Sequence, residues 1–304
     1  GKPLLITEWS FSGFPEPGHK SSLFIDVYTQ ENRAIGYRKY VLQAARAPFM
    51  VGMHWFMWMD YDRQAEAIAG STPDENVGFV SSDETVIYKE LGRSVKRTNA
   101  RVEGTHRGAR WKPPPEPVPQ RRGLRRFTPT IDGDLSEWPH ALAIKPALDH
   151  SLLDRLQVEH TYFLSWNEQS VYLAGDISDS HLEPPHKDWP WLGDYLSIQL
   201  SPVEPPDIRS DYTSAFFIYP IGEGADQQQP YASQWAAPGS HRQIPLQVAK
   251  RLRPGGYTIE ARIPAAAVAG LTESPGAAWN IQLMYQNVNE IYQTKWDGIV
   301  TLQP

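Results

Sequence analysis

Two kinds of hydrophobic pattern divide the chain. Near its start, residues 3–9 (PLLITEW) form a short apolar run closed by a carboxylate and an aromatic ring, the pattern of a parallel strand buried on both faces. From Thr29 to Arg46 the positions Ile35, Val41, Leu42 and Ala45 recur at near-helical spacing, with Thr29 as N-cap and Pro48 as a stop. Residues 49–58 (FMVGMHWFMW) predict a second apolar strand. Asp83 then precedes a second helix that would carry Ile87, Leu91 and Val95 on one face.

Beyond residue 129 the pattern changes to short alternating segments separated by turn residues: 162–166, 171–177, 195–200, 215–219, 257–263 and 279–285. Alternation of this kind predicts an antiparallel β-sandwich. Between the two regions lies KPPPEPVP (112–119), whose five prolines favour an extended, semi-rigid spacer. The expected organisation is therefore multidomain. Residues 1–103 form βα units, 104–128 a Pro- and Arg-rich linker, and 129–304 the sandwich. Arg121, Arg122, Arg125 and Arg126 are read as part of the solvated linker.

Composition narrows the chemistry. There is no Cys, which excludes disulfides, thiolate metal sites and a Cys nucleophile. No run of about 18 apolar residues suggests a membrane span. Residues 102–128 carry 7 basic and 2 acidic groups, and residues 129–304 carry 10 and 21. An acidic sandwich argues against a nucleic-acid partner, because such binding draws on Lys and Arg neutralising phosphates. Eleven Trp, fourteen Tyr and ten Phe supply flat apolar rings, suited either to cores or to stacking on sugars.

In a (β/α)8 enzyme the chemistry sits at the C-terminal ends of the strands, and Glu8 holds that position after Leu4, Leu5, Ile6 and Thr7. The segment GKPLLITEWSF, followed by VGMHWFMWMDY, resembles the seventh and eighth strands of clan A retaining glycoside hydrolases. The resemblance implies the end of a barrel that is incomplete here, since a full one needs about 250 residues. It makes Glu8 the nucleophile, with Trp9, His54, Trp55 and Trp58 as substrate contacts. Core packing is the other reading of the Trp residues. Retaining hydrolysis needs a second carboxyl about 5 to 5.5 Å from the first. The clan carries it on the fourth strand, so this stretch alone is expected to be inactive, as a piece of a longer protein. No catalytic cofactor is implied.

The run PTIDGDLSEW (129–138) resembles the opening of family 9 carbohydrate-binding modules. The segments SVYLAGDISD, WLGDYLSIQL, GGYTIEARIP and WDGIVTL fit in order after it. By that resemblance Trp191, with Trp189 as neighbour, would contact sugar. Trp296 takes a packing place, and Ser197 stands where members commonly carry a Glu that reaches the sugar hydroxyls. Asp132, Asp134, Asp176 and Asp179 would be ligands of a structural calcium, or else cap turns. The resemblances together imply a monomeric, extracellular or periplasmic protein whose partner is a polysaccharide or oligosaccharide. The alternative is a non-catalytic binding or spacer module.

Overall fold

The computed structural model describes residues 2–13, 25–27, 29–60, 76–110, 120–151, 158–179, 181–185, 193–203, 214–222, 230–235, 241–268, 274–287 and 292–304. It divides into two units, Gly1–Glu116 and Pro117–Pro304.

The first unit runs β1 (Leu4–Trp9), β2 (Phe11–Ser12), β3 (Ile25–Asp26), α1 (Gln30–Ala45), β4 (Met50–Trp55) and α2 (Lys89–Arg107). β1 and β4 pair in parallel, with Leu4 beside Met50 and Trp9 beside Trp55. Two parallel strands do not close a barrel. The expectation that β1 is buried on both faces also fails: Leu4 and Leu5 are 46% and 45% exposed, and Val51 is 66% exposed. A two-stranded sheet has no further strand to cover those side chains.

The helices form where the pattern placed them, with altered faces. Thr29 caps α1 by accepting a hydrogen bond from Asn32 N at 3.0 Å. The buried face of α1 is Arg33, Gly36, Tyr37, Val41 and Ala45, so Ile35 and Leu42 are not its core. Ile87 lies before α2 and is exposed, while Leu91 and Thr98 are the buried positions of that helix. Ser94 Oγ donates to Ala34 O at 2.6 Å and Tyr37 Oη to Asn99 Oδ1 at 2.9 Å, tying the two helices together.

The second unit is a sandwich. One sheet contains, in chain order, β5 (Gln120–Leu124), β7 (Ala147–Ser151), β10 (Tyr195–Pro202), β11 (Ser214–Tyr219), β12 (Tyr231–Trp235), β13 (His241–Ile244), β16 (Ala278–Asn287) and β17 (Tyr292–Leu302). Its spatial order is β13-β12-β11-β10-β16-β17-β5, with β7 sharing the outer edge of β17. The other sheet contains β6 (Ala143–Ile144), β8 (Thr161–Asn167), β9 (Ser170–Ile177), β14 (Gln247–Arg253) and β15 (Gly256–Pro264), in the order β14-β15-β9-β8-β6.

Alternation sends Leu196, Ile198, Phe216, Ile218, Ile281 and Leu283 from one sheet, and Tyr162, Leu164, Leu173, Ile259 and Ile263 from the other, into one shared core. Each fully buried Leu, Ile or Phe of this kind contributes roughly 1.5–3 kcal/mol. All six segments predicted from alternation lie inside observed strands.

The linker expected at 104–128 differs at both ends. α2 continues to Arg107, and β5 joins β17 in parallel, with Leu124 buried in the core. Only 111–119, which includes the proline run, falls outside the described residues within that stretch. The arginines beyond it serve the sandwich. Arg122 donates to Ala143 O at 2.8 Å and Ala141 O at 2.6 Å, and Arg126 pairs with Glu168 at 2.7 Å.

Candidate functional site

Glu8 is exposed on β1, one residue before the buried Trp9. No hydrogen bond or ion pair engages its carboxylate among the described residues. Trp9 sits in an aromatic cluster, with ring centroids 4.6 Å from Tyr40, 4.8 Å from Trp55 and 5.3 Å from Tyr37. Its Nε1 is buried without a hydrogen-bond partner. The parallel register that sets Trp9 beside Trp55 therefore brings Glu8 and Trp55 to the same end of the sheet.

Trp55 is half-buried and donates from Nε1 to Val77 O at 2.9 Å, which fixes its ring. His54 alternates with it and is exposed, and Trp58 is 71% exposed. Trp9 is thus a packing residue in this unit, whereas Glu8, His54 and Trp58 face solvent. A cleft of about 650 Å³ opens along β4 between α1 and α2, lined among others by Trp9, Tyr37, Met53, Trp55 and Val102.

Below this end lies a buried polar network that the pattern of the sequence did not reveal. Arg33 is fully buried. Its Nε donates to Phe11 O at 2.9 Å, and its terminal nitrogens donate to Gly78 O at 2.8 Å, Gln30 Oε1 at 3.0 Å and Asn76 Oδ1 at 3.1 Å. The guanidinium also lies 5.6 Å from the centroid of Trp55 and 5.5 Å from that of Tyr88. Asp60, also buried, accepts from Gly78 N at 2.6 Å, Asn76 Nδ2 at 2.9 Å and Tyr88 Oη at 2.5 Å. Burial pushes the Arg33 guanidinium down to about 10, against the opposing pull of Asp60 and Tyr88. Burial, then the bond to Asp60, pushes the Tyr88 phenol well up.

In the sandwich, Trp189 and Trp191 lie outside the described residues. Ser197 is fully buried, with its hydroxyl 3.4 Å from Met284 O, so it does not present a group to solvent. Trp138, Trp166, Trp279 and Trp296 are all buried, and Trp296 thereby takes the packing place expected of it. The Trp235 side chain lies outside the described residues.

The four aspartates expected at a calcium do not fit one. Asp132 accepts from Asp134 N at 2.8 Å, and Asp134 accepts from Ser136 N at 2.9 Å and pairs with Arg251 at 2.8 Å. Asp176 pairs with Arg253 at 2.6 Å. Asp179 accepts from Tyr285 Oη at 2.6 Å, Asn287 Nδ2 at 2.9 Å and His181 N at 2.9 Å. Turn capping and ion pairing use these oxygens, and no group of three or more His, Cys, Asp or Glu that could hold a metal occurs among the described residues.

No family model matches the chain. A curated relative, beta-agarase B of Vibrio sp. (strain JT0107), is 34% identical over 101 residues, which is 33% of this chain and only 10% of the agarase. Three solved structures overlap 60% of the chain. Two are a family 9 carbohydrate-binding module from Caldicellulosiruptor kristjanssonii, in complex with cellotriose (15% identity, 94% of that chain, TM-score 0.41) and with glucose (14%, 96%, 0.42). The third is a putative carbohydrate-binding protein from Bacteroides uniformis ATCC 8492 (9%, 98%, 0.42). No helix among the described residues is long and apolar enough to cross a membrane.

Proposed function

We propose that the chain is part of a retaining glycoside hydrolase that acts outside the cytoplasm on a polysaccharide. Its first unit contributes the last strands of a (β/α)8 barrel, and its second is a carbohydrate-binding sandwich that tethers the enzyme near its substrate. The observation that carries this reading is Glu8, an exposed carboxylate with no partner among the described residues, at the strand end where the neighbouring strand delivers Trp55. Glu8 attacks the anomeric carbon, and the glycosidic bond to the leaving oxygen breaks as a carboxylic acid elsewhere in the barrel protonates that oxygen. Water then releases the sugar. His54 and Trp58, exposed as Glu8 is, line the sugar path, while Trp55 packs behind them against Trp9; Trp191 and Trp189 serve the sandwich.

The similarity to beta-agarase B over 101 residues supports the reading and makes agarose the first polymer to assay. The test is chemical rescue in a protein that supplies the remaining barrel strands. Glu8→Ala abolishes hydrolysis, and azide restores turnover by forming the glycosyl azide of inverted configuration. Unimpaired hydrolysis by Glu8→Ala removes Glu8 from the mechanism.

A second reading, a binding protein without catalysis, draws on the closed core of the sandwich and on the single candidate carboxylate offered by the first unit. Retardation of the chain in polysaccharide-containing gels, together with no hydrolysis from the barrel-complete protein, would favour it.

A further inference from the structure

A groove of about 380 Å³ runs between the two helices of the first unit and shares no lining residue with the cleft along β4. Arg38 lines it from α1 and Arg93, Arg97 and Arg101 from α2, together with Glu31 and Glu90. In a (β/α)8 barrel the helices are the outer ring, so the strands that complete a barrel do not fill a groove between two consecutive helices. Both walls of this groove therefore belong to α1 and α2. The charge of α2 is hidden in the balance of the chain, because residues 1–101 carry 12 basic and 12 acidic groups, whereas α2 alone sets six Lys and Arg against two Glu.

The two helices run side by side in the same direction. Ser94 bonds to Ala34, Tyr37 to Asn99, and the His106 ring lies 3.1 Å from Ala45 O. This register sets Glu31 level with Glu90 at the start of the groove, and Arg38 level with the span from Arg97 to Arg101 further on. Arg93, Arg97 and Arg101 follow one another at four-residue steps, about 6 Å apart along the axis, a spacing at which like charges repel. Glu90 answers Arg93 at 2.8 Å. Arg97 and Arg101 are exposed and form no ion pair among the described residues. Three guanidinium groups are thus gathered at one end of the groove, and an oxyanion set among them would relieve their repulsion and accept from their paired N–H donors.

We propose that the end of the groove framed by Arg38, Arg97 and Arg101 binds the sulfate ester groups of a polysaccharide, at a site apart from the sugar contacts near Glu8. The choice of polymer rests on the carbohydrate-active reading of the chain, but not on Glu8 acting as nucleophile. Three guanidinium groups match the three terminal oxygens of a sulfate ester better than the two oxygens of a carboxylate. Glu31 and Glu90 favour a polymer over an anionic membrane face. A lipid surface would press phosphates against both carboxylates, whereas a linear sugar chain lays sulfate over the arginines and hydroxyls, which donate, over the glutamates.

The test is a calorimetric titration of the full 304-residue chain with dextran sulfate, uncharged dextran, polygalacturonate and phosphatidylglycerol vesicles. Wild type is compared with the double variants Arg97→Gln/Arg101→Gln and Arg97→Lys/Arg101→Lys, and with Lys96→Gln/Arg110→Gln, which removes two exposed charges from outside the groove. Circular dichroism at 222 nm confirms the helices of each. The net charge of −6 disfavours general attraction to a polyanion, so binding reports a local site. Wild type is expected to bind dextran sulfate and not dextran. The glutamine pair should weaken that binding roughly tenfold or more, and the lysine pair should recover only part of it. The control pair should change it by less than about threefold. No binding of dextran sulfate by wild type, an equal loss in the control pair, or polygalacturonate or vesicles bound as tightly as dextran sulfate would each overturn the site. Were the arginines needed for dextran sulfate while the Glu8 rescue failed, the sulfate site would stand and the hydrolase reading would fall; the opposite pair of results would remove the sulfate site alone.

Discussion

Trp138 Nε1 donates a 2.6 Å hydrogen bond to Glu260, joining residues 122 positions apart at the foot of the sandwich. The other carboxylate oxygen accepts from Gly133 N at 2.6 Å and Asp132 N at 3.1 Å, so one buried side chain closes the Asp-Gly turn and anchors the Trp that follows it. Gly133 adopts φ +83°, which a residue with a Cβ reaches only under strain. Burial raises the Glu260 carboxyl above its usual range, and these bonds oppose that shift.

Glu260→Ala leaves three donors without a partner and is expected to cost about 3 kcal/mol or more, read as a lower urea midpoint at unchanged slope. Glu260→Gln should fall between the two, because an amide accepts at only one of its two poles. A Glu260→Ala midpoint equal to wild type would show the bonds to be dispensable.

The second expectation concerns pH. Buried His160 accepts from Ser178 N through Nδ1 at 3.1 Å, which leaves Nε2–H to donate to Tyr292 Oη at 3.0 Å. Protonation would set an N–H against the Ser178 N–H. Burial first, then Arg253 and Lys145, hold the imidazole down to about 4, with only the Glu159 backbone opposing. The folded value lies below the unfolded one of about 6.5, so the unfolded chain binds more protons between the two. Stability from this group is complete above about pH 6.5 and declines as pH falls toward 4, by on the order of 3 kcal/mol. Urea midpoints at pH 7.5, 6 and 5 should drop more steeply for wild type than for His160→Gln. Parallel curves would contradict the assignment.

Arg33 gives a third. Arg33→Leu leaves Asp60 buried without its guanidinium neighbour and strips the bonds from Phe11 O and Gly78 O, a loss of roughly 3–5 kcal/mol. Both α-helices of the described residues belong to the first unit, so the signal at 222 nm reports its unfolding. That signal should melt at lower temperature in Arg33→Leu. Arg33→Lys should recover little, since one ammonium cannot reach four acceptors.

Much of this architecture was legible because alternation is a local signal. Strands β8, β9, β10, β11, β15 and β16 send every second residue into one core, and that period survives in the sequence. β5 did not show because its strand reads Gln-Arg-Arg-Gly-Leu, with only Leu124 reaching the core, and the neighbouring prolines suggested a spacer. Arg33 was hidden for a different reason. An arginine on a helix is usually solvated, and only the return of residues 76–78 from far along the chain makes its position a buried one. The site was read through Glu8 and Trp55, which sit at strand ends where pattern and position agree. Asn76 lies on irregular backbone, which has no period to betray it.

Covalent trapping bears most directly on the central claim. A 2-deoxy-2-fluoro glycoside with a good leaving group, incubated with the barrel-complete hydrolase, should inactivate it by leaving the fluorosugar as an ester on Glu8. Peptide mass spectrometry is expected to find the added sugar on the peptide that carries Glu8. An inactivated enzyme labelled on another carboxylate, with the Glu8 peptide unmodified, would contradict the account.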